Sequence, residues 1–148
     1  MIKLFSDRTK RGQGFIADHY TILFSVAEHN PRFVDIRNLQ DAKREIESIG
    51  CAPESVDIMA PKAVFRIIKL DDVLPQDAII IKQDMLSIGG EVAIPRDVFE
   101  LRDKSCSILI MGTVRQLYEL AGKLDRHYMR IRRISSEILD VIERHLLR

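Results

Sequence analysis

Two short stretches of the sequence combine residue types that can bind an anion. Lys82 falls inside the apolar arc of a predicted helix, and Gly89-Gly90 follow where that helix must end. Gly112-Thr113 stand between an apolar strand and the next helix, so free backbone N–H groups and the positive end of a helix dipole meet there. A phosphate or carboxylate is the ligand that a lysine, glycines and a helix N-terminus would take.

Each of these residues also has a simpler structural explanation. The aliphatic stem of Lys82 can lie along apolar surface while its ammonium reaches water or a carboxylate. Gly89 and Gly90 are typical of a Schellman turn, and Thr113 with Gln116 has the spacing of a capping box. The sequence leaves both explanations open, and it favours the structural one.

The sequence predicts no catalytic residue, no metal site and no cofactor. Its histidines lie on or beside predicted helices without a nucleophile or metal-binding motif around them, and Cys51 and Cys106 are far apart. No apolar run approaches the roughly 20 residues that span a bilayer, and no signal-peptide pattern is present. We therefore expect a cytoplasmic protein without a membrane partner, and we leave open a homo-oligomer.

Hydrophobic spacing predicts the elements that position the candidate residues. Helices are expected at 15–28, 39–49, 75–88, 114–124 and 135–147, and strands at 1–5, 33–36, 56–59, 63–70, 91–94 and 106–111. Residues 98–101 fit either a short strand or a helical turn. These elements predict an α/β fold of one domain, with a small mixed or mostly parallel sheet flanked by helices in a three-layer-like arrangement. We expect an extension at 1–31, a core at 32–125 and a basic linker with an amphipathic helix at 126–148.

A basic segment with an interleaved tyrosine precedes the last predicted helix. Arginines are its main cations: Arg126, Arg130, Arg132 and Arg133. Such a segment can contact an acidic protein or a nucleic acid. However, the formal net charge of the whole chain is only +1, so a solvated connection is the simpler explanation and nucleic acid is not the favoured partner.

Four stretches of the chain carry a family resemblance: Ile58-Met59-Ala60-Pro61-Lys62-Ala63, Arg66-Ile67-Ile68-Lys69-Leu70, Lys82-Gln83-Asp84-Met85-Leu86-Ser87-Ile88-Gly89-Gly90-Glu91 and Leu109-Ile110-Met111-Gly112-Thr113. In this order they resemble the region that precedes the catalytic barrel in a subgroup of bacterial and archaeal dihydropteroate synthases. The similarity runs from about Asn38 to Leu124, and the stretch from Lys82 to Glu91 is its most specific part.

The resemblance implies a role in folate or pterin synthesis, where the enzyme joins a dihydropterin diphosphate to p-aminobenzoate and releases pyrophosphate, with magnesium. This chain has no Asn-x-Thr-Pro-Asp-Ser-Phe segment, and its 148 residues are too few for a (β/α)₈ barrel, which needs about 200 at least. None of the family's catalytic residues can therefore be carried over.

Two hypotheses follow. In the first, the chain is a free-standing version of the synthase's leading domain, which docks on a separate barrel or binds a phosphorylated pterin through Lys62, Lys82 and the Gly112-Thr113 turn. In the second, it is a small regulatory or scaffolding module whose basic segment binds an acidic protein or nucleic acid. An autonomous enzyme has the least support.

Overall fold

The computed structural model of the chain describes residues 28–146, and the boundary between its two units falls between Asp35 and Ile36. The strand predicted at 1–5 and nearly all of the helix predicted at 15–28 lie outside the described residues. In the first unit, residues 28–35 form a turn followed by a segment without regular secondary structure. The strand predicted at 33–36 is wrong, because none of the strands in the described residues pairs with this segment and Phe33 is fully exposed.

The second unit is a small α/β domain with five helices and three strands in its described part. We number the elements in chain order as follows: α1 Leu39–Ser48, α2 Pro53–Ala63, β1 Phe65–Val73, α3 Pro75–Ser87, β2 Glu91–Ala93, β3 Cys106–Thr113, α4 Val114–Leu124 and α5 Met129–Leu146. Asn38 caps α1 by accepting a hydrogen bond from the Asp41 N–H, as its position before the helix predicts. Residues 98–100, where a strand or helical turn was expected, form a turn.

The sheet has the order β1-β3-β2, and β3 is antiparallel to both of its neighbours. The prediction of a mixed or mostly parallel sheet is therefore wrong. The βαβ connection behind that prediction is present, because β1 and β2 run in the same direction and α3 connects them. The crossover leaves a gap of one strand between them, and β3 fills that gap, as in a split β-α-β unit.

All the helices that contact the sheet pack on one face of it. Buried side chains from the strands form that face: Ile68, Val92, Ile108 and Ile110. Helices α2, α3 and α4 contact β3, and α5 packs on α4. The described domain is therefore a two-layer structure, and the expected three-layer arrangement is not formed because no described helix covers the opposite face.

Two helices differ from the prediction. Residues 56–59, expected as a strand, lie inside α2, which begins at Pro53 and buries Val56 and Ala60 four residues apart on one side. The short apolar run was compatible with both periods, and burial of one helical face decided the outcome. Helix α5 begins at Met129, six residues before the predicted start at 135, because its buried face already includes Ile131, one turn before Ser135.

Candidate anion site and its surroundings

The end of α3 is a Schellman turn formed by the two glycines. The Gly90 N–H donates to the Met85 carbonyl, the Gly89 N–H donates to the Leu86 carbonyl, and Gly89 has a φ of +85°. Gly89 therefore supplies the left-handed conformation that ends the helix and turns the chain into β2. This accounts for Gly89 without a ligand.

Gly90 and Gly112 allow the Met85 side chain to reach the sheet. A Cβ atom added at Gly90 would lie 2.2 Å from Met85 Cε, and one added at Gly112 would lie 2.4 Å from the same atom. Met85 is fully buried in the core between α3 and the sheet. The space that a side chain would occupy at both glycines is thus filled by a methionine.

Lys82 is paired within the protein. Its Nζ atom donates to Glu91 Oε1 at 2.9 Å and to the Val92 carbonyl at 2.7 Å, so the lysine ties α3 to the edge strand β2. The Lys82 ammonium and the Val92 N–H lower the pKa of the Glu91 carboxyl. Lys82, which lies among apolar residues in the sequence of α3, is therefore paired with the Glu91 carboxylate.

The N-terminus of α4 is capped from inside the domain. Thr113 Oγ1 accepts the Gln116 N–H, and Gln116 Oε1 accepts the Thr113 N–H at 2.8 Å, which confirms the predicted capping box. The Val114 N–H donates to the Val64 carbonyl. Gln116 Nε2 also donates to the Ile88 carbonyl at 3.2 Å, so one side chain joins the start of α4 to the end of α3.

The structure brings five of the six candidate residues into one neighbourhood. Met85 lies beside Gly90 and Gly112, and Gln116 lies beside Gly89 and bonds to Thr113. Lys82 binds the Val92 carbonyl on the adjacent strand β2. Lys62 is exposed in the last turn of α2, where its charge complements the helix dipole. The Lys82 ammonium and the N–H groups of Thr113, Val114 and Gln116 are engaged with protein acceptors.

The basic segment is partly neutralised by contacts within the chain. Arg130 donates to both carboxylate oxygens of Asp77, and its guanidinium lies 5.0 Å from the centroid of the Tyr128 ring. Arg132 forms an ion pair with Asp125 at 3.6 Å. The other two predicted cations, Arg126 and Arg133, are exposed.

Asp77 is a buried carboxylate that the sequence analysis missed. It is 1% exposed, it lies in the first turn of α3, and the Tyr128 hydroxyl and the Arg130 guanidinium donate to it. Burial alone would raise the pKa of Asp77, but the hydrogen bonds from Arg130 and Tyr128 outweigh burial and lower it. These bonds hold residues 128–130, at the start of α5, against α3.

A second contact of the same kind joins His127 to Asp84, with 2.9 Å between Nε2 and Oδ2. Asp77 and Asp84 are seven residues apart, so they lie two turns apart on the same side of α3. That spacing was the available signal in the sequence.

Within residues 28–146 there is no group of three or more histidine, cysteine or acidic residues that could hold a metal ion. Burial raises the pKa of the Cys106 thiol, which makes it a poorer nucleophile. A depression in the 97–104 loop has a volume of about 630 Å³ and is lined by none of the candidate residues. In the described part of the chain, no helix has the length and apolar character needed to cross a membrane.

Comparison with known proteins gives one informative similarity. The chain is 30% identical over 109 residues to a probable bifunctional folylpolyglutamate synthase/dihydropteroate synthase of Halobacterium salinarum. The match covers 70% of this chain and 13% of that protein. The relationship is to a folate enzyme, and it is distant. No protein-family model matches the chain, and no solved structure matches it.

Proposed function

We propose that this chain is a non-catalytic module that acts in or alongside folate or pterin synthesis by docking on a separate dihydropteroate synthase. The similarity to a small part of a protein named as a bifunctional folate enzyme supports the pathway. The short length of the matched part supports a role beside the chemistry, because a (β/α)₈ barrel needs about 200 residues.

One observation favours docking over capture of a phosphorylated pterin. The Lys82 ammonium binds a carboxylate and a carbonyl of its own domain, and the Thr113 N–H donates to Gln116. An anion would have to displace Glu91 from Lys82 and would gain little at the capped N-terminus of α4. Capture of a pterin diphosphate through Lys62, Lys82 and the Gly112-Thr113 turn is therefore the weaker form of the proposal.

The alternative function, binding of an acidic protein or nucleic acid by the basic segment, has less support. Arg130 and Arg132 form ion pairs within the chain, so two of the four arginines would have to exchange an internal carboxylate for an external one. Steeply salt-dependent binding to nucleic acid would favour this alternative.

Docking is tested by titrating the full chain into a purified dihydropteroate synthase encoded by the same genome. Saturable binding is expected, with a change in the synthase's activity or thermal stability. The matched control is a synthase that carries the corresponding leading segment in its own chain, because that segment would already occupy the docking site. Equal binding to both synthases, or to neither, would contradict the proposal.

A further inference from the structure

The two edge strands of the sheet differ in how their outward backbone groups are satisfied. In the order β1-β3-β2, β1 and β2 are the edges. On β2 the Val92 N–H donates to Glu91 Oε1 at 2.9 Å, and the Val92 carbonyl accepts a hydrogen bond from the Lys82 ammonium at 2.7 Å. Side chains of the same domain therefore occupy both backbone groups of Val92, which closes this edge to pairing with another strand.

The alternation of an antiparallel ladder determines which backbone groups of β1 face outward. Val92 lies opposite Ile110 of β3, and because the backbone groups of Val92 point away from β3, those of Ile110 point towards β1. Ile110 lies opposite Ile68, so these two residues exchange the ladder hydrogen bonds. The N–H and C=O groups of the neighbouring residues Ile67 and Lys69 therefore face the outer edge of β1.

The outer edge of β1 is open over the middle of the strand. Among the described strands only β3 pairs with β1, and the main contacts of the helices with the sheet are on β3. At the start of β1 the Arg66 guanidinium binds the Phe65 carbonyl. Near its end, where the register with β3 shifts, Asp72 has a φ of +53° and accepts the Ser105 hydroxyl. The open stretch runs from Ile67 to Asp71, and such an edge can add a strand from another chain.

Two opposite charges of the open stretch are arranged symmetrically about Leu70. Lys69 alternates with the buried side of β1, and Asp71 Oδ1 accepts the hydroxyl of the exposed Ser107, so both side chains lie on the sheet face away from the helices. A two-fold axis perpendicular to the sheet at Leu70 places Lys69 of each copy opposite Asp71 of the other. A lysine on an edge strand normally opposes pairing, but here each lysine meets a carboxylate.

The charges also select this register over its neighbours. An axis at Lys69 would place two lysines opposite each other, and an axis at Ile68 would place Lys69 opposite Ile67. Of these three axes, the one at Leu70 pairs both charges. It also places the outward backbone groups of Lys69 beside the second strand, where they can form ladder hydrogen bonds.

We propose that β1 pairs antiparallel with β1 of a second copy of this chain, about a two-fold axis at Leu70. The two sheets then form one six-stranded sheet in the order β2-β3-β1-β1-β3-β2, with the closed β2 strands at its ends. The contact is isologous, as expected for a two-fold dimer. This inference does not rest on the proposed function.

Exchange of the two charges tests the proposal by sedimentation velocity of the full chain over a range of micromolar concentrations. The unmodified chain should show a monomer–dimer equilibrium. Lys69→Asp and Asp71→Lys each give the four facing positions one sign of charge, so each should raise the dissociation constant at least about tenfold. An equimolar mixture of the two variants should associate again, because their charges are then complementary. The matched control is Arg133→Glu, a charge reversal at an exposed position of α5 that should leave association unchanged.

Hydrogen exchange measured by NMR tests the ladder itself. The Lys69 amide should exchange more slowly as the concentration of the chain rises, because its N–H becomes bonded to the second copy. The Val92 amide is the internal control, since it is already bonded within the chain and its exchange should not depend on concentration. Circular dichroism melting verifies that the variants fold.

Three results would each overturn the proposal. The first is a chain that stays monomeric, which is also the result expected if a different protein uses this edge. The second is a mixture of Lys69→Asp and Asp71→Lys chains that associates no better than either variant alone. The third is association without slower exchange of the Lys69 amide, because stacking through a sheet face would leave that N–H in water.

Discussion

Lys82 and Glu91 form an ion pair across the junction of α3 and β2, with 2.9 Å between the ammonium and the nearer carboxylate oxygen. Because Glu91 is bound to Lys82, the cation of the candidate anion site, we expect the protein to bind pyrophosphate weakly or not at all. Glu91→Gln should leave Lys82 without its carboxylate and produce measurable pyrophosphate binding by calorimetry.

The effect of Glu91→Gln should disappear in the double variant with Lys82→Met. Asp140→Asn is the matched control, because it removes an exposed carboxylate from Arg144 near the end of α5, away from the candidate site. Tight, Lys82-dependent binding of pyrophosphate by the unmodified chain would instead support ligand capture.

Packing around Met85 predicts that alanine at Gly112 destabilises the domain. The new methyl group would lie 2.4 Å from Met85 Cε and 3.1 Å from Gln116 Oε1, so the core must shift at a cost of about 1–3 kcal/mol. Gly122→Ala is the control. It lies in α4 with open space around it, and alanine there should stabilise the helix by about 0.5–1 kcal/mol. Urea unfolding measures both effects.

The same packing predicts coupling between Gly90→Ala and Met85→Ala. Removal of the methionine alone should cost about 2–5 kcal/mol, since it is fully buried. In that background Gly90→Ala should cost much less than it does alone, because the atoms that it would meet are gone. Strictly additive free energies of unfolding would show that the two residues do not compete for space.

Asp77 is expected to contribute more to stability than other carboxylates of the domain. Asp77→Ala leaves the Arg130 and Tyr128 donors without their shared acceptor and should destabilise the fold by about 2–3 kcal/mol. The control is Asp140→Ala, which breaks an exposed ion pair with Arg144 and should cost about 0.5 kcal/mol or less. Equal losses in the two variants would contradict the structural role of Asp77.

Acid should weaken the contact at Asp77. The pKa of this group is lower in the folded protein than the ordinary aspartate value of about 3.9, so its contribution is complete above that pH. The contribution is lost as the pH falls through the lowered folded value. Stability of the unmodified protein should therefore decrease more steeply below about pH 4 than that of Asp77→Asn. Parallel pH profiles of the two proteins would count against the assigned direction.

Gln116 has two functions that a single substitution separates. Gln116→Glu keeps an oxygen for the Thr113 N–H but removes the Nε2 donor to the Ile88 carbonyl, whereas Gln116→Ala removes both. We expect a loss of about 1–2 kcal/mol for alanine and a smaller loss for glutamate. A glutamate variant as unstable as the alanine variant would show that the bond to Ile88 dominates. Thermal melts of both variants decide this.

The elements with complete local signals were predicted correctly. Helix α3 has Pro75 at its start and two glycines at its end, and α4 has the Thr113-Gln116 capping box. Local signals failed where long-range contacts determine the direction of a strand or the type of an element. The direction of β3 depends on its place between β1 and β2, which the chain order does not reveal. The 56–59 run became helical because Val56 and Ala60 bury one side of α2.

The candidate site shows the same division. The sequence predicted where α3, β3 and α4 meet, because glycines and a capping threonine mark the ends of helices through local chemistry. It did not reveal that Met85 fills the space beside Gly112, because that contact joins a helix to a strand 27 residues away in the sequence. The partnership of Asp77 with Arg130 spans 53 residues and was missed for the same reason.

The most direct test of the account is a titration of the full chain against the dihydropteroate synthase of its own genome, with pyrophosphate titrated in parallel. The account predicts saturable binding to the synthase that pyrophosphate does not displace, and little binding of pyrophosphate alone. Absence of binding to the synthase, together with pyrophosphate binding that Lys82→Met abolishes, would contradict it.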